Sequence, residues 1–109
     1  MAKFVKGEVV VIPFPFSDLS GSKRRPALVV ADLPGDDLLL CQITSQSSKD
    51  IYAIPLLVID FMNGSLPVNS FIRPTRLFTA DRNIVVRRAG LVKTEIINDV
   101  TQTIIKIIR

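Results

Sequence analysis

The chain has no histidine, no tryptophan and a single cysteine among its 109 residues. Without imidazole, any catalysis near neutral pH proceeds without the usual general acid or base. One cysteine cannot close an intramolecular disulfide, so the fold does not depend on an oxidising compartment. With no histidine beside it, that cysteine cannot build a zinc site either. Cys41 sits inside "LLLCQI" and reads as a small core residue. Carboxylates could hold magnesium, but Asp36 and Asp37 fall in "PGDD", where hairpin geometry explains them better. Neither a metal nor an organic cofactor is expected. Long apolar runs are missing too: none approaches the roughly 20 residues needed to span a bilayer. The opening "MAKFVKGEVVVIPFPF" is interrupted by Glu8, Pro13 and Pro15 and lacks a small-residue cleavage site. These features predict a cytoplasmic protein without a membrane segment.

What is present is an apolar fraction of 48%, too high for a disordered chain, in a length that suits one core. A single domain over residues 1–109 is expected. The stretches Gly7–Phe14, Pro26–Asp32 and Asp37–Thr44 are short, apolar and separated by Gly, Pro, Ser and Asp clusters, the pattern of strands. They lack clean alternation, which predicts a sheet covered on both faces. "LPGDD" reads as a hairpin connection, Ile51–Ile59 as an edge or bulged strand because of Pro55, and "MNGS" as a turn. The last segment changes period. Ile96, Ile97, Val100, Ile104, Ile105 and Ile108 recur at helical spacing, with Glu95, Asp99, Gln102 and Lys106 opposite, predicting an amphipathic helix from about Lys93 to Ile107. Its β-branched isoleucines favour helix poorly, so packing must hold it.

Charge is distributed unevenly. The formal net charge is only +4, yet Asn69–Lys93 holds Arg73, Arg76, Arg82, Arg87, Arg88 and Lys93 against the single acid Asp81. With Lys23, Arg24 and Arg25, two separated segments contain nine of the fourteen cations. If they converge in space, they form a cleft that attracts phosphates; otherwise they decorate a solvated face.

The ordered set "GEVVVIPFPFSDLSGSKRRPALVV", "QITSQ" and "GSLPVNSFIRPTRLFT", followed by the terminal helix, resembles the MazF/PemK family of bacterial toxin endoribonucleases. The resemblance runs from about Lys6 to Ile107. It implies a mainly β, small SH3-like barrel of the CcdB/PemK type with a C-terminal amphipathic helix. It also implies a homodimer, an antitoxin partner, and metal-independent cleavage of single-stranded RNA to 2′,3′-cyclic phosphate and 5′-hydroxyl ends. By the same resemblance Arg25 and Thr44 are the catalytic candidates, and Lys23, Arg24, Ser45, Arg73 and Arg76 the RNA-binding ones. Some family members use a first-loop histidine with an Arg-x-Asp pair; here the corresponding stretch is Val68-Asn69-Ser70 and there is no histidine, so that variant of the site does not transfer.

The residue types suit the chemistry. Attack of a ribose 2′-oxygen on phosphorus builds negative charge on the non-bridging oxygens, which a guanidinium can bind through two parallel hydrogen bonds and a hydroxyl can support. Arg73 and Arg76 stand three apart and would face opposite ways on a regular strand unless Pro74 introduces a bulge; the resemblance, through a basic position of the family, makes Arg73 the choice for the RNA side. Phe14 and Phe16 either stack on bases or seal the barrel end. Two other readings share the fold: a non-enzymatic toxin of the topoisomerase-poisoning kind, and a nucleic-acid-binding barrel without catalysis.

Overall fold

A computed structural model describes residues 3–15, 22–46 and 49–109. Seven strands form one antiparallel sheet: β1 (Glu8–Pro15), β2 (Ser22–Asp32), β3 (Asp37–Thr44), β4 (Ile54–Leu56), β5 (Phe61–Gly64), β6 (Ser70–Asp81) and β7 (Arg87–Val92). Their spatial order is β4-β6-β3-β2-β1-β7-β5. The chain ends in the helix α1, Thr94–Ile108. This is the mainly β barrel-like fold with a terminal helix that the sequence implies.

The near-continuous apolar strands are explained by two cores, one on each face. Val9, Val11, Leu28, Cys41, Ile43 and Ile72 pack on one side with Ile97 and Val100 of α1. Val10, Ile12, Ala27, Val29, Leu38 and Leu40 pack on the other, with Phe4. Because alternate residues point to opposite faces, both sets must be apolar. Ile96 and Ile104 of α1 pack against the first core, whereas Ile105 is 38% and Ile108 75% exposed. The helix stripe is therefore wider than the face it buries.

Three strand assignments change. β2 starts at Ser22 rather than Pro26, because β1 continues to Pro15 and its ladder extends the pairing: Ile12 lies opposite Arg25, Pro13 opposite Arg24 and Phe14 opposite Lys23. The three cations are thus part of a strand, not of a loop before it. The segment Ile51–Ile59 keeps only β4 and then tightens into a 3-10 turn, Val58–Asp60, in which Asp60 accepts a hydrogen bond from Leu57 N at 2.8 Å. "MNGS" is not a free turn: Met62–Gly64 belong to β5, and Gly64 bends there with φ +66°.

β6 carries an irregularity at Pro74. Cys41 pairs with Leu77, but the next residue, Gln42, pairs with Arg73, so Pro74, Thr75 and Arg76 bulge out of the ladder. Phe14 meets Phe78 edge-on, with centroids 5.0 Å apart and planes at 85°, which favours its sealing role. Phe16 lies outside the described residues.

Candidate functional site

The mouth of β2 presents cations to both faces of the sheet. Val11 lies opposite Pro26 on one side and Arg87 on the other. Alternation along β2 then puts Arg24 on the Pro26 face and Arg25 on the Ala27 face. The β2–β3 ladder pairs Leu28 with Cys41 and Ala27 with Gln42 and ends there, two residues short of Arg25 on β2 and of Thr44 on β3. The two catalytic candidates thus lie at the same end of adjacent strands, though 19 positions separate them in the chain. Thr44 Oγ1 accepts a hydrogen bond from Gln46 N at 3.2 Å, which fixes the oxygen at the exit of β3.

Arg25 lines a cleft of about 530 Å³, to which the neighbours of Thr44, Ile43 and Ser45, also contribute, while Thr44 itself is not in its lining. Lys23, Arg24, Arg25 and Arg87 supply its charge, Ser45 and Ser70 its hydroxyls, and Leu66, Pro67 and Val68 an apolar wall. Val11 and Ile43 from the core line it as well. No carboxylate lines it among the described residues. An acid-free cleft with this many cations is an anion site, and its apolar wall can take the flat face of a base.

The remaining cations of the basic segment are largely committed elsewhere. Arg82 is buried, and its Nη2 donates to Asp32 Oδ1 at 2.5 Å, to Gly35 O at 3.1 Å and to Leu33 O at 3.3 Å. It ties the β2–β3 hairpin to the end of β6, and the Asp32 carboxylate holds its guanidinium more firmly protonated than usual. Arg88 pairs with Glu8 at 3.0 Å, stacks over Phe4 with 4.4 Å to the ring centroid, and donates to Lys3 O. Arg73 Nε donates to Asp50 Oδ2 at 3.3 Å. Arg76 is exposed in the β6 bulge, outside the cleft. Basic residues therefore do converge, but through Arg87 rather than through the segment as a whole. The "RRAG" string carried that signal: on a strand one arginine of a consecutive pair goes to each face.

Asp50 collects several donors. Its Oδ1 accepts from Tyr52 N at 2.9 Å and its Oδ2 from Thr75 Oγ1 at 3.1 Å in addition to Arg73. Led by the Tyr52 amide, these hold its carboxyl below the usual carboxylate range, against the opposing effect of burial. Cys41 donates through Sγ to Arg73 O at 2.9 Å, and burial, helped by the Asp50 charge, pushes its thiol up to about 12. It is a protonated core group, as its setting in "LLLCQI" implies. Among the described residues no three His, Cys, Asp or Glu side chains group as metal ligands, and no helix is long and apolar enough to cross a membrane.

The sheet order, terminal helix and cationic cleft define a small toxin-type barrel. The chain belongs to the PemK-like, MazF-like toxin family of type II toxin–antitoxin systems, whose family model matches residues 5–108. No curated protein sequence matches it significantly. Among solved structures it is similar to a mycobacterial endoribonuclease in complex with its cognate antitoxin, at TM-score 0.72 and 15% identity over 99% of this chain and 95% of that one. A MazE–MazF structure from Deinococcus radiodurans aligns at TM-score 0.74 and 17% identity, covering 94% of this chain and 92% of that one. A further structure, of an endoribonuclease from mycobacterial species, gives 0.74 and 14%, covering 99% and 93%. At these identities the likeness is one of fold.

Proposed function

We propose that this chain is the toxin of a type II toxin–antitoxin pair and acts as a metal-independent endoribonuclease on single-stranded RNA. The observation that supports the reading is an acid-free cationic cleft that Arg25 lines, in a chain of the PemK-like, MazF-like family. Arg25 stabilises the charge that builds on the non-bridging oxygens as the 2′-oxygen bonds to phosphorus, and the Thr44 hydroxyl supports the same phosphate. The P–O5′ bond breaks, leaving a 2′,3′-cyclic phosphate on one fragment and a 5′-hydroxyl on the other. With no histidine in the chain, rate enhancement comes from this electrostatic stabilisation and from positioning rather than from imidazole proton transfer.

Lys23, Arg24 and Ser45 hold the RNA backbone in the cleft, and the exposed Arg76 extends the cationic surface beyond it, whereas Arg73 has its charge balanced by Asp50. The partners are RNA and an antitoxin, the latter supported by the antitoxin-bound mycobacterial and Deinococcus relatives of the fold. The setting is the cytoplasm. A homodimer accounts for the apolar surface left outside the core, where Ile51 is 87%, Ile59 71% and Met62 65% exposed.

The deciding experiment incubates the purified protein with a long single-stranded RNA in excess EDTA and maps the new ends. Discrete cuts bearing cyclic phosphates support the reading. Intact RNA that is nevertheless bound would leave a binding barrel, and RNA neither bound nor cut would favour a toxin with a protein target.

A further inference from the structure

We infer that Arg24 and Arg87 together clamp one phosphodiester of the bound RNA, apart from the one Arg25 serves, while the Pro67–Val68 wall receives a neighbouring base. This rests on the endoribonuclease reading of the same cleft. Arg24 and Arg87 come from the two strands that flank β1 and reach the same face around Val11: Pro26 and Arg87 are its partners on either side, and Arg24 precedes Pro26 by one alternation. Both are exposed and both line the cleft. Each guanidinium can donate two parallel hydrogen bonds to a phosphate, so a pair on opposite sides of one groove grips both non-bridging oxygens.

Arg25 lines the same cleft but, by alternation, leaves β2 from the other face than Arg24, so the clamp and the reacting group approach the chain of nucleotides from different sides of the strand. The other side of the cleft differs in character. Leu66 is buried beneath it, Val68 is 54% exposed, and Ser70 is itself buried, its Oγ donating to Val68 O at 3.0 Å and fixing the rim. A phosphate grip facing an ordered apolar rim is the layout of a nucleotide subsite.

The test uses a single-stranded RNA made uncleavable by deoxyribose at the mapped cleavage position, with affinity read by fluorescence anisotropy across a salt series. Arg87→Ala and Arg24→Ala should each weaken binding roughly tenfold and lower the slope of log affinity against log salt by about 0.7, the value for one single-strand phosphate contact. Val68→Ala should weaken binding with the slope unchanged, since it removes no ionic contact. Lys106→Ala, on the exposed side of α1, should match the wild type. At saturating cleavable RNA, single-turnover rates should fall far less for Arg87→Ala than for Arg25→Ala, because a clamp that holds ground and transition states alike acts mainly on affinity. The clamp is overturned if Arg87→Ala keeps the wild-type salt slope, or if it loses cleavage at saturation as severely as Arg25→Ala. A wild type that binds but does not cut removes the nuclease reading while the slopes still judge the clamp. A wild type that does not bind RNA removes both.

Discussion

Asp50 and Arg73 meet across 23 positions of sequence, Oδ2 lying 3.3 Å from Nε, and so fasten the connection after β3 to the strand that bulges at Pro74. Thr75, inside that bulge, donates to the same carboxylate oxygen. The side chain of Asp50 is only 8% exposed and that of Arg73 22%. Replacing the carboxylate by an amide leaves the guanidinium without its counter-charge in a half-buried place. Asp50→Asn should lower unfolding stability by about 1.5–2 kcal/mol, the lower part of the range for hydrogen bonds to charged groups. The lowered carboxyl pKa also sets a sign. Its contribution is fully present above the unfolded value near 4 and is lost as pH falls through the lower folded value. Urea midpoints of wild type and Asp50→Asn should therefore converge below about pH 4 and differ at pH 7; equal midpoints at pH 7 would show the ion pair to be inconsequential.

Arg25 and Thr44 should separate chemistry from binding. Arg25→Ala is expected to slow cleavage at saturating RNA by roughly 100-fold or more, the scale of losing one charged transition-state contact, with a much smaller change in affinity. Thr44→Val should show a milder version. RNA carrying deoxyribose at the cut position should bind and stay whole. Full activity in Arg25→Ala, or cutting of the deoxy substrate, would refute the assignment.

Cys41 offers a check on the buried network next to Arg73. With its thiol pushed up to about 12 and its Sγ donating to Arg73 O, it should resist a disulfide reagent at pH 8 in the folded protein and react at once in denaturant. Because the folded pKa lies above the ordinary value of 9.0, the protonated thiol supports the fold below pH 9 and that support is withdrawn as pH climbs toward 12. Cys41→Ala should flatten this alkaline decline. Rapid labelling of the native protein would contradict the burial.

The strands that the sequence reveals most clearly are those whose two faces are both apolar. β3 has the boundaries its pattern implies, and α1 agrees within a residue at each end, because hydrophobic period and Gly or Pro punctuation act locally. β4 and β5 are obscured by a 3-10 turn and by pairing with distant strands, which no local pattern encodes. The site divides the same way. Arg25 and Thr44 are marked by motif, and the pairing of β2 with β3 puts them at the same end of adjacent strands. Arg87 looks like any other member of a basic run until Arg73, Arg82 and Arg88 are seen to be occupied by Asp50, Asp32 and Glu8. Pairing between distant acids and bases is a property of the folded chain, and charge counts alone do not contain it.

Two glycines provide a matched test of how β5 is held. Gly35, in the β2–β3 hairpin, has φ +83° and nothing within 4 Å of where a Cβ would stand. Gly64, at the end of β5, has φ +66° and pairs with Gly90 of β7, and a Cβ there would lie 2.1 Å from the Ala89 carbonyl oxygen. Both alanine variants incur the left-handed penalty of about 1–2 kcal/mol. Only at Gly64 must backbone move as well, since the obstructing atom is a carbonyl that also accepts from Ser65 N at 3.2 Å. Gly35→Ala should therefore lose about 1 kcal/mol, and Gly64→Ala more than about 3 kcal/mol, with amide exchange accelerated along β5 and the adjoining part of β7. That region ends beside Phe61 and Ala89, which belong to the core under α1, so the loss should spread to the helix and not stay at the sheet edge. Equal losses for the two variants would mean that β5 yields easily, and that the pairing of β5 with β7 adds little to the fold.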